Sequence, residues 1–376
     1  YLGLSFTLRN PGVEHLGSDK MNFVKCPVVL ALLALALGGC NVVGPRAIEK
    51  GQFSYNEVIN RTDNEQLLLN LVRLKYRDTP FFLEVSNVLT QYSLQSSAGI
   101  GRTSVAGSPT ERGLDLGLSY EENPAVSYAP LQGEKFVRQL LAPISLDTLL
   151  LLYQSGWSIE RIFRCCVQQL GPLKNAPSAS GPTPEQAPEF LEFTRAAKLL
   201  RTLQVEGKAG FGAIQNEKGR DMAIRFPGEA GASPTAANLR KLLGVAENAG
   251  DLRLSTNASA PGQVPVITRS LMGVLFYLSH SIEVPEEDIE AGRVTLTKNS
   301  DSSPFDWSEV TEGLLQVRTD SWRPGNASVR IHYRGSWFYI DDSDLPSKST
   351  FSFLTQLLAL QSGEVQSSAP VLTIPI

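Results

Sequence analysis

The stretch Met21–Cys40, MNFVKCPVVLALLALALGGC, decides where the folded part of this chain begins. Lys25 lies in a short n-region, an apolar h-region runs from Pro27 to Leu37, and two glycines precede a cysteine, which is the layout of a secretory signal. A transmembrane anchor needs roughly 20 apolar residues, more than this run offers. A buried core helix gives no reason for small residues just ahead of a cysteine, whereas a signal peptidase pocket does. Residues 21–39 are therefore read as a signal peptide, with an uncleaved or non-lipidated signal as the competing reading. Residues 1–20 show neither helical nor strand period and are read as an upstream translated segment outside the fold.

Leu37-Gly38-Gly39-Cys40 resembles the lipobox of bacterial lipoproteins. The resemblance implies cleavage before Cys40, diacylglycerol on its sulfur and acylation of the new amino terminus, so Cys40 is the expected lipid attachment residue. Each acyl chain contributes about 0.8 kcal/mol per buried CH₂, and several chains make a stable anchor. Asn41 is not the aspartate associated in that family with inner-membrane retention. The expected location is the outer membrane, lipid-anchored, with the protein facing the periplasm.

Loss of residues 1–39 removes Arg9, Lys20 and Lys25 against Glu14 and Asp19, which moves the net charge from −4 to −5. No basic block is left to replace phosphate counterions, so nucleic acid is not an expected partner. A chain that is 42% hydrophobic and 19% charged can bury a core, and its length suggests two domains. Cys165-Cys166 are the cysteines left after Cys26 and Cys40. Ile159, Ile162, Phe163, Cys166, Val167 and Leu170 recur at helical spacing, which makes Cys166 a core residue with Cys165 at the edge of the stripe.

Along the mature chain the expected fold class is α+β: a helix-rich N-terminal region with a long β-hairpin (40–170), a Pro-rich linker (171–188) and a mixed α+β C-terminal domain (189–376). Ser54-x-x-Glu57 and Thr62-x-x-Glu65 are capping boxes, the second opening an apolar helix from Gln66 to Tyr76 that stops ahead of Pro80. From Phe81 to Leu94 the pattern is that of a strand. A Gly/Ser-rich tip, Ser96 to Gly113, leads into Leu114, Leu116, Leu118 and Tyr120 alternating with polar or small residues, and a further strand from Ala125 to Tyr128 follows Glu121-Glu122-Asn123-Pro124. Five prolines between Gly171 and Pro188 suggest an exposed, extended linker. Thr268 to Ile282 is the expected central helix of the second domain. Strands near Ala327–Tyr333 and Trp337–Ile340, a helix Ser347–Gln361 and a terminal strand Val371–Ile376 complete it.

Gln66 to Pro80, Pro130-Leu-Gln-Gly133 and Tyr339-Ile-Asp-Asp342 resemble segments of a group of uncharacterised Gram-negative lipoproteins. That resemblance implies the envelope as location and no particular chemistry. The chain has no G-x-S-x-G, H-E-x-x-H, phosphate loop or C-x-x-C. His280 near the end of the central helix is a candidate base, weighed against a cation at a helix C-terminus. Asp341, Asp342 and Asp344 are a candidate hard-cation cluster, weighed against turn and N-cap chemistry. Trp307, Trp322, Trp337, Phe338 and Tyr339 could line a glycan or peptide groove, weighed against core packing. The leading expectation is a non-catalytic scaffold or assembly subunit without cofactor or metal, bound to the membrane by lipid and to an envelope protein partner. The alternatives are a periplasmic ligand-binding module and, behind it, a hydrolytic enzyme or a subunit that lends its hairpin to a pore.

Overall fold

The computed structural model describes residues 56–103, 111–130, 133–216, 219–257, 263–362 and 372–375. Cys40, the signal stretch and the tip between the hairpin strands lie outside them. The described residues form two compact units, one of 56–60, 83–103, 111–130 and 372–375, the other of 61–82, 133–216, 219–257 and 263–362. The class is α+β, as expected from the order of elements.

The first unit is dominated by a hairpin. Strand β1 (Leu83–Thr103) pairs antiparallel with β2 (Glu111–Pro130) from Leu83↔Pro130 to Thr103↔Glu111, with one irregularity between Val85 and Asn87. Both strands are longer than the sequence pattern suggests: β1 continues past Leu94 to Thr103 and β2 begins at Glu111, so much of the expected Ser96–Gly113 tip is paired strand, and β2 runs straight through Glu121–Pro124. A proline is tolerated where its missing N–H falls on a sheet edge. Pro124 is such a place, since the short C-terminal strand Leu372–Pro375 covers β2 only at Ala125–Tyr128.

Helix α1 (residues 56–75) enters the second unit. It is one continuous helix, so Thr62–Glu65 lies inside it and does not start a second helix. Its buried face carries Leu68, Leu71 and Val72. Arg77 at φ 62° turns the chain, and the N–H of Asp78 reaches back to the Arg73 carbonyl at 2.8 Å, a Schellman-type end. Asn70 then holds Phe81 on both backbone groups, each at 2.8 Å.

After α2 (Glu134–Leu141) and α3 (Leu146–Gln154) comes α4 (Ile159–Cys166), capped by Ser158. The chain leaves helical geometry at Cys166 and continues as β3 (Val167–Leu170). Both Cys165 and Cys166 are fully buried and free, so Cys165 lies deeper than the stripe alone predicts. β3 pairs with β4 (Leu173–Lys174). Next come α5 (Leu191–Val205), β5 (Gly210–Asn216), β6 (Gly219–Arg225), α6 (Pro234–Leu242), β7 (Leu252–Ser255) and β8 (Val264–Thr268). These strands form a six-stranded sheet in the order β4-β3-β8-β7-β6-β5, with β7 and β8 parallel.

β8 runs into α7 (Leu271–Ser279), capped by Ser270 and buried nearly all round, the central helix that the apolar run predicts. The short helices α8 (Glu286–Glu290) and α9 (Ser308–Thr311) precede a meander of β9 (Arg318–Asp320), β10 (Ala327–Tyr333) and β11 (Ser336–Asp341). Helix α10 (Leu345–Ser362) closes the unit, and Leu372–Pro375 is β12.

The segment Gly171–Pro188 is not an exposed linker. It lies within the second unit, with Asn175, Ala176 and Ala179 buried. The reason is Arg269, a guanidinium with almost no solvent contact. It donates to the carbonyls of Val167 at 2.9 Å and of Arg164 and Cys165 at 3.2 Å, to the Asn175 carbonyl, and to Ser180 Oγ at 3.0 Å. It also lies over the Tyr277 ring at 4.0 Å. Among the described residues no carboxylate shares the site, so backbone dipoles solvate the charge, and the proline-rich segment has to pack inward to supply some of them.

Candidate ligand cleft

Lys75, at the last turn of α1, is 7% exposed. A lysine there gains from the carbonyl end of the helix, but its ammonium has no hydrogen bond or ion pair with any described residue. Burial lowers its pKa to about 8. It lines a cleft of about 1190 Å³ whose walls are α5, the turn after α7, and residues 294–297 and 304–316. Phe190, Val284, Val294, Leu296, Phe305 and Trp307 supply much of the apolar wall, and charged and hydroxyl side chains such as Lys75, Arg195, Lys198, Glu283 and Thr297 are interspersed with them, a concave mixture of apolar surface and polar groups that suits a small-molecule site.

His280 follows α7 and forms part of the same wall, at 2% exposure. Its ring stacks on Trp307, with centroids 4.1 Å apart and planes at 20°. Nε2 lies 3.2 Å from the Ala179 carbonyl, so Nε2 carries the proton in the neutral ring and Nδ1 is left a buried acceptor without a partner. Burial, then the neighbouring Lys75 charge, pushes the ring pKa down to about 3. A histidine so poised stays neutral at physiological pH and is a poor proton acceptor. Trp307 is held by its indole N–H on Thr297 Oγ1 at 3.0 Å, and that hydroxyl donates to the Pro184 carbonyl at 2.6 Å. The former linker thus buttresses the cleft.

Five carboxylates line the cleft, those of Glu283, Asp306, Glu309, Glu312 and Asp344, and four of them have other partners. Glu283 accepts from Gln316 Nε2 at 2.9 Å, Glu312 faces Lys198 at 3.6 Å, Asp306 accepts the Ser308 N–H at 2.8 Å, and Asp344 accepts from Ser347 Oγ at 2.6 Å. None neutralises Lys75.

The three aspartates suggested by the sequence are divided among separate local tasks. Asp341 accepts from the backbone and hydroxyl of Ser343, which lowers its pKa. Asp342 pairs with Lys348 at 2.5 Å, and Asp344 caps α10 through Ser347. Among the described residues no group of three or more His, Cys, Asp and Glu side chains is placed to hold a metal ion. The aromatic residues are not gathered into one groove: Trp307 is in the cleft, Trp322 is 82% exposed, Phe338 is buried, and Trp337 lies beside His332 on the β10–β11 pair. Lys75 and Arg269 were not singled out by sequence pattern. Lys75 sits one residue beyond the strongly apolar positions of α1, and nothing local marks it as buried.

No known protein family, curated protein or solved structure matches this chain. Among the described residues no helix is long and apolar enough to cross a membrane.

Proposed function

We propose that the chain is a lipid-anchored, non-catalytic protein of the outer membrane, facing the periplasm, whose second unit binds a small amphiphilic anion in the cleft. The lipobox at Leu37–Cys40 supports the anchor. One observation carries the binding role: Lys75 is nearly buried on the wall of the cleft, and among the described residues no carboxylate pairs with its ammonium. A buried charge without a partner is costly, and a carboxylate or phosphate on the ligand supplies the missing partner while an alkyl or aryl body covers Phe190 and Trp307.

Calorimetric titration of the full chain with laurate and with dodecanol tests this reading. Laurate binds, dodecanol binds about tenfold or more weakly, and Lys75→Met removes the difference without loss of folding, since it deletes a buried charge. Equal affinity for acid and alcohol in the parent protein sinks the proposal. For the anchor, Cys40→Ser is expected to abolish fatty-acid labelling and leave a larger precursor, and normal processing of that variant removes the lipoprotein reading.

A role as an assembly subunit is the second reading. It draws on the hairpin, whose strand edges are unpaired over most of their length among the described residues.

A further inference from the structure

The β1–β2 ladder runs for 21 and 20 residues, against the 3–10 residues usual for strands in globular proteins. At about 3.4 Å per residue it extends for roughly 65–70 Å. An isolated two-stranded ribbon is marginal in water, and its open edges invite pairing with other chains. β12 covers β2 only at Ala125–Tyr128, so the whole outer edge of β1, and β2 from Glu111 to Pro124, have no third strand among the described residues.

Residues directly opposite each other share a face of the ribbon. The register places Leu94↔Tyr120, Ser96↔Leu118, Ala98↔Leu116 and Ile100↔Leu114 at successive positions of one face. The other face takes Gln95↔Ser119, Ser97↔Gly117, Gly99↔Asp115 and Gly101↔Gly113. One face is thus dominated by apolar residues and the other is polar or glycine. The band has borders: Arg102↔Arg112 follows Ile100↔Leu114 toward the tip, and Tyr92↔Glu122 precedes Leu94↔Tyr120 toward the base. Leu94 to Ile100 and Leu114 to Tyr120 are seven residues each, and the span reaches nine with the border pair Tyr92↔Glu122, the lower end of the roughly 9–11 that a tilted strand needs to cross the hydrocarbon core. Tyr92 with Glu122 at one border, Tyr120 next to them, and arginines at the other border match the interfacial positions of a spanning strand. Between these borders neither strand contains a lysine or proline of the kind that protects water-exposed edges.

We propose that the β1–β2 hairpin is a membrane-inserting element, several copies of this chain pairing β1 of one to β2 of the next in a closed barrel, with the Leu114–Leu116–Leu118 face against acyl chains and the Gly/Ser face around an aqueous lumen. Closure is required, because lipid leaves no unpaired backbone group satisfied. The β1 edge and the β2 edge are different surfaces, so the contact is head-to-tail and generates a ring. The inference depends neither on acylation of Cys40 nor on the cleft.

The test uses the full chain with vesicles of phosphatidylethanolamine and phosphatidylglycerol carrying an entrapped dye. Single cysteines from residue 114 to residue 120, introduced after Cys26 and Cys40 are replaced by alanine, are labelled with an environment-sensitive fluorophore, the fully buried Cys165 and Cys166 staying unlabelled in the folded protein. The expected result is dye release together with a two-residue alternation, in which labels at 114, 116, 118 and 120 are quenched by brominated lipid and those at 115, 117 and 119 by aqueous iodide. Leu116→Arg is expected to abolish release while the variant unfolds in urea with the parent's midpoint for the second unit, which shows that unit intact. Ser97→Arg, on the other face, is expected to retain release and shift it toward anions. A monomer in detergent that releases no dye overturns the proposal. So does an alternation that is indifferent to brominated lipid, which would place the apolar face on protein.

Discussion

His280 lies flat against Trp307 with its Nε2 proton directed at the Ala179 carbonyl, so one side chain joins the central helix, the cleft wall and the proline-rich segment. The fit holds only for the neutral ring. The folded pKa of about 3 lies below the 6.5 of a free histidine, so between these values the unfolded chain binds a proton that the folded chain does not. Stability contributed by this group is complete above pH 6.5 and falls as the pH drops toward 3.

The first prediction follows from that sign. Between pH 7 and pH 4 the parent protein is expected to lose about 3 kcal/mol more stability than His280→Phe, which retains an aromatic ring on Trp307 but has no proton to take up. Urea titrations of both proteins across this range check it, and parallel pH profiles would contradict it.

Lys75 predicts the opposite limb. Its folded pKa of about 8 lies below the unfolded 10.5, so the unfolded state holds the extra proton between those values and stability rises with pH through that window. Below pH 8 the cost of the buried charge is constant at about 3 kcal/mol. Lys75→Met is thus expected to be more stable than the parent at pH 7, with the gap narrowing toward pH 10.5. Laurate favours the charged amine, so its affinity is expected to be level from about pH 6, where its own carboxylate is ionised, to pH 8 and to decline above it. A gap that stays constant up to pH 11 would show that the amine is solvated in the folded protein.

Part of this could be read from sequence because it depends on local period. The alternation of β1 and β2, the all-round apolar character of α7 and the buried face of α1 each follow from side-chain spacing that holds wherever the element ends up. Spacing misleads where two conformations satisfy it. Val167 and Leu170 continue the helical stripe of α4, yet they form β3, whose two ends are the buried ones. The cleft was illegible for a different reason. Lys75, His280 and Trp307 are far apart in sequence, and composition marks Gly171–Pro188 as exposed when its carbonyls in fact receive Arg269. Long-range packing overrode local signal at the positions that carry the proposed binding role.

Arg269 gives a third prediction. Arg269→Met removes the donor to several buried carbonyls while filling much of the same volume, so it is expected to cost about 3–5 kcal/mol, the range for breaking one partner out of a buried charged network. Arg269→Lys is expected to lose most of the same amount, because a single ammonium cannot reach carbonyls arranged for a planar fork. The midpoint of urea unfolding measures both. A lysine variant as stable as the parent would mean that charge alone, without the forked geometry, holds the Asn175 segment in place.

The adjacent cysteines give the last prediction. Burial pushes the Cys165 thiol up to about 11 and the Cys166 thiol well above its ordinary value, and only the thiolate reacts at a useful rate. The guanidiniums of Arg161, Arg164 and Arg269 act in the other direction on Cys165 without offsetting the loss of solvent. At pH 8 the native protein should therefore react with neither iodoacetamide nor a disulfide oxidant on the time scale of free thiols. Adjacent cysteines at the end of a helix are also poorly disposed for the geometry that a disulfide requires. On unfolding in denaturant both thiols should become reactive together, since the same core covers them. Mass spectrometry of the tryptic peptide 165–174 reads the outcome directly. Two alkyl groups acquired only after denaturation are expected, whereas one fast alkylation in the native state, or a peptide lighter by two hydrogens after mild oxidation, would assign the pair a redox role in place of core packing.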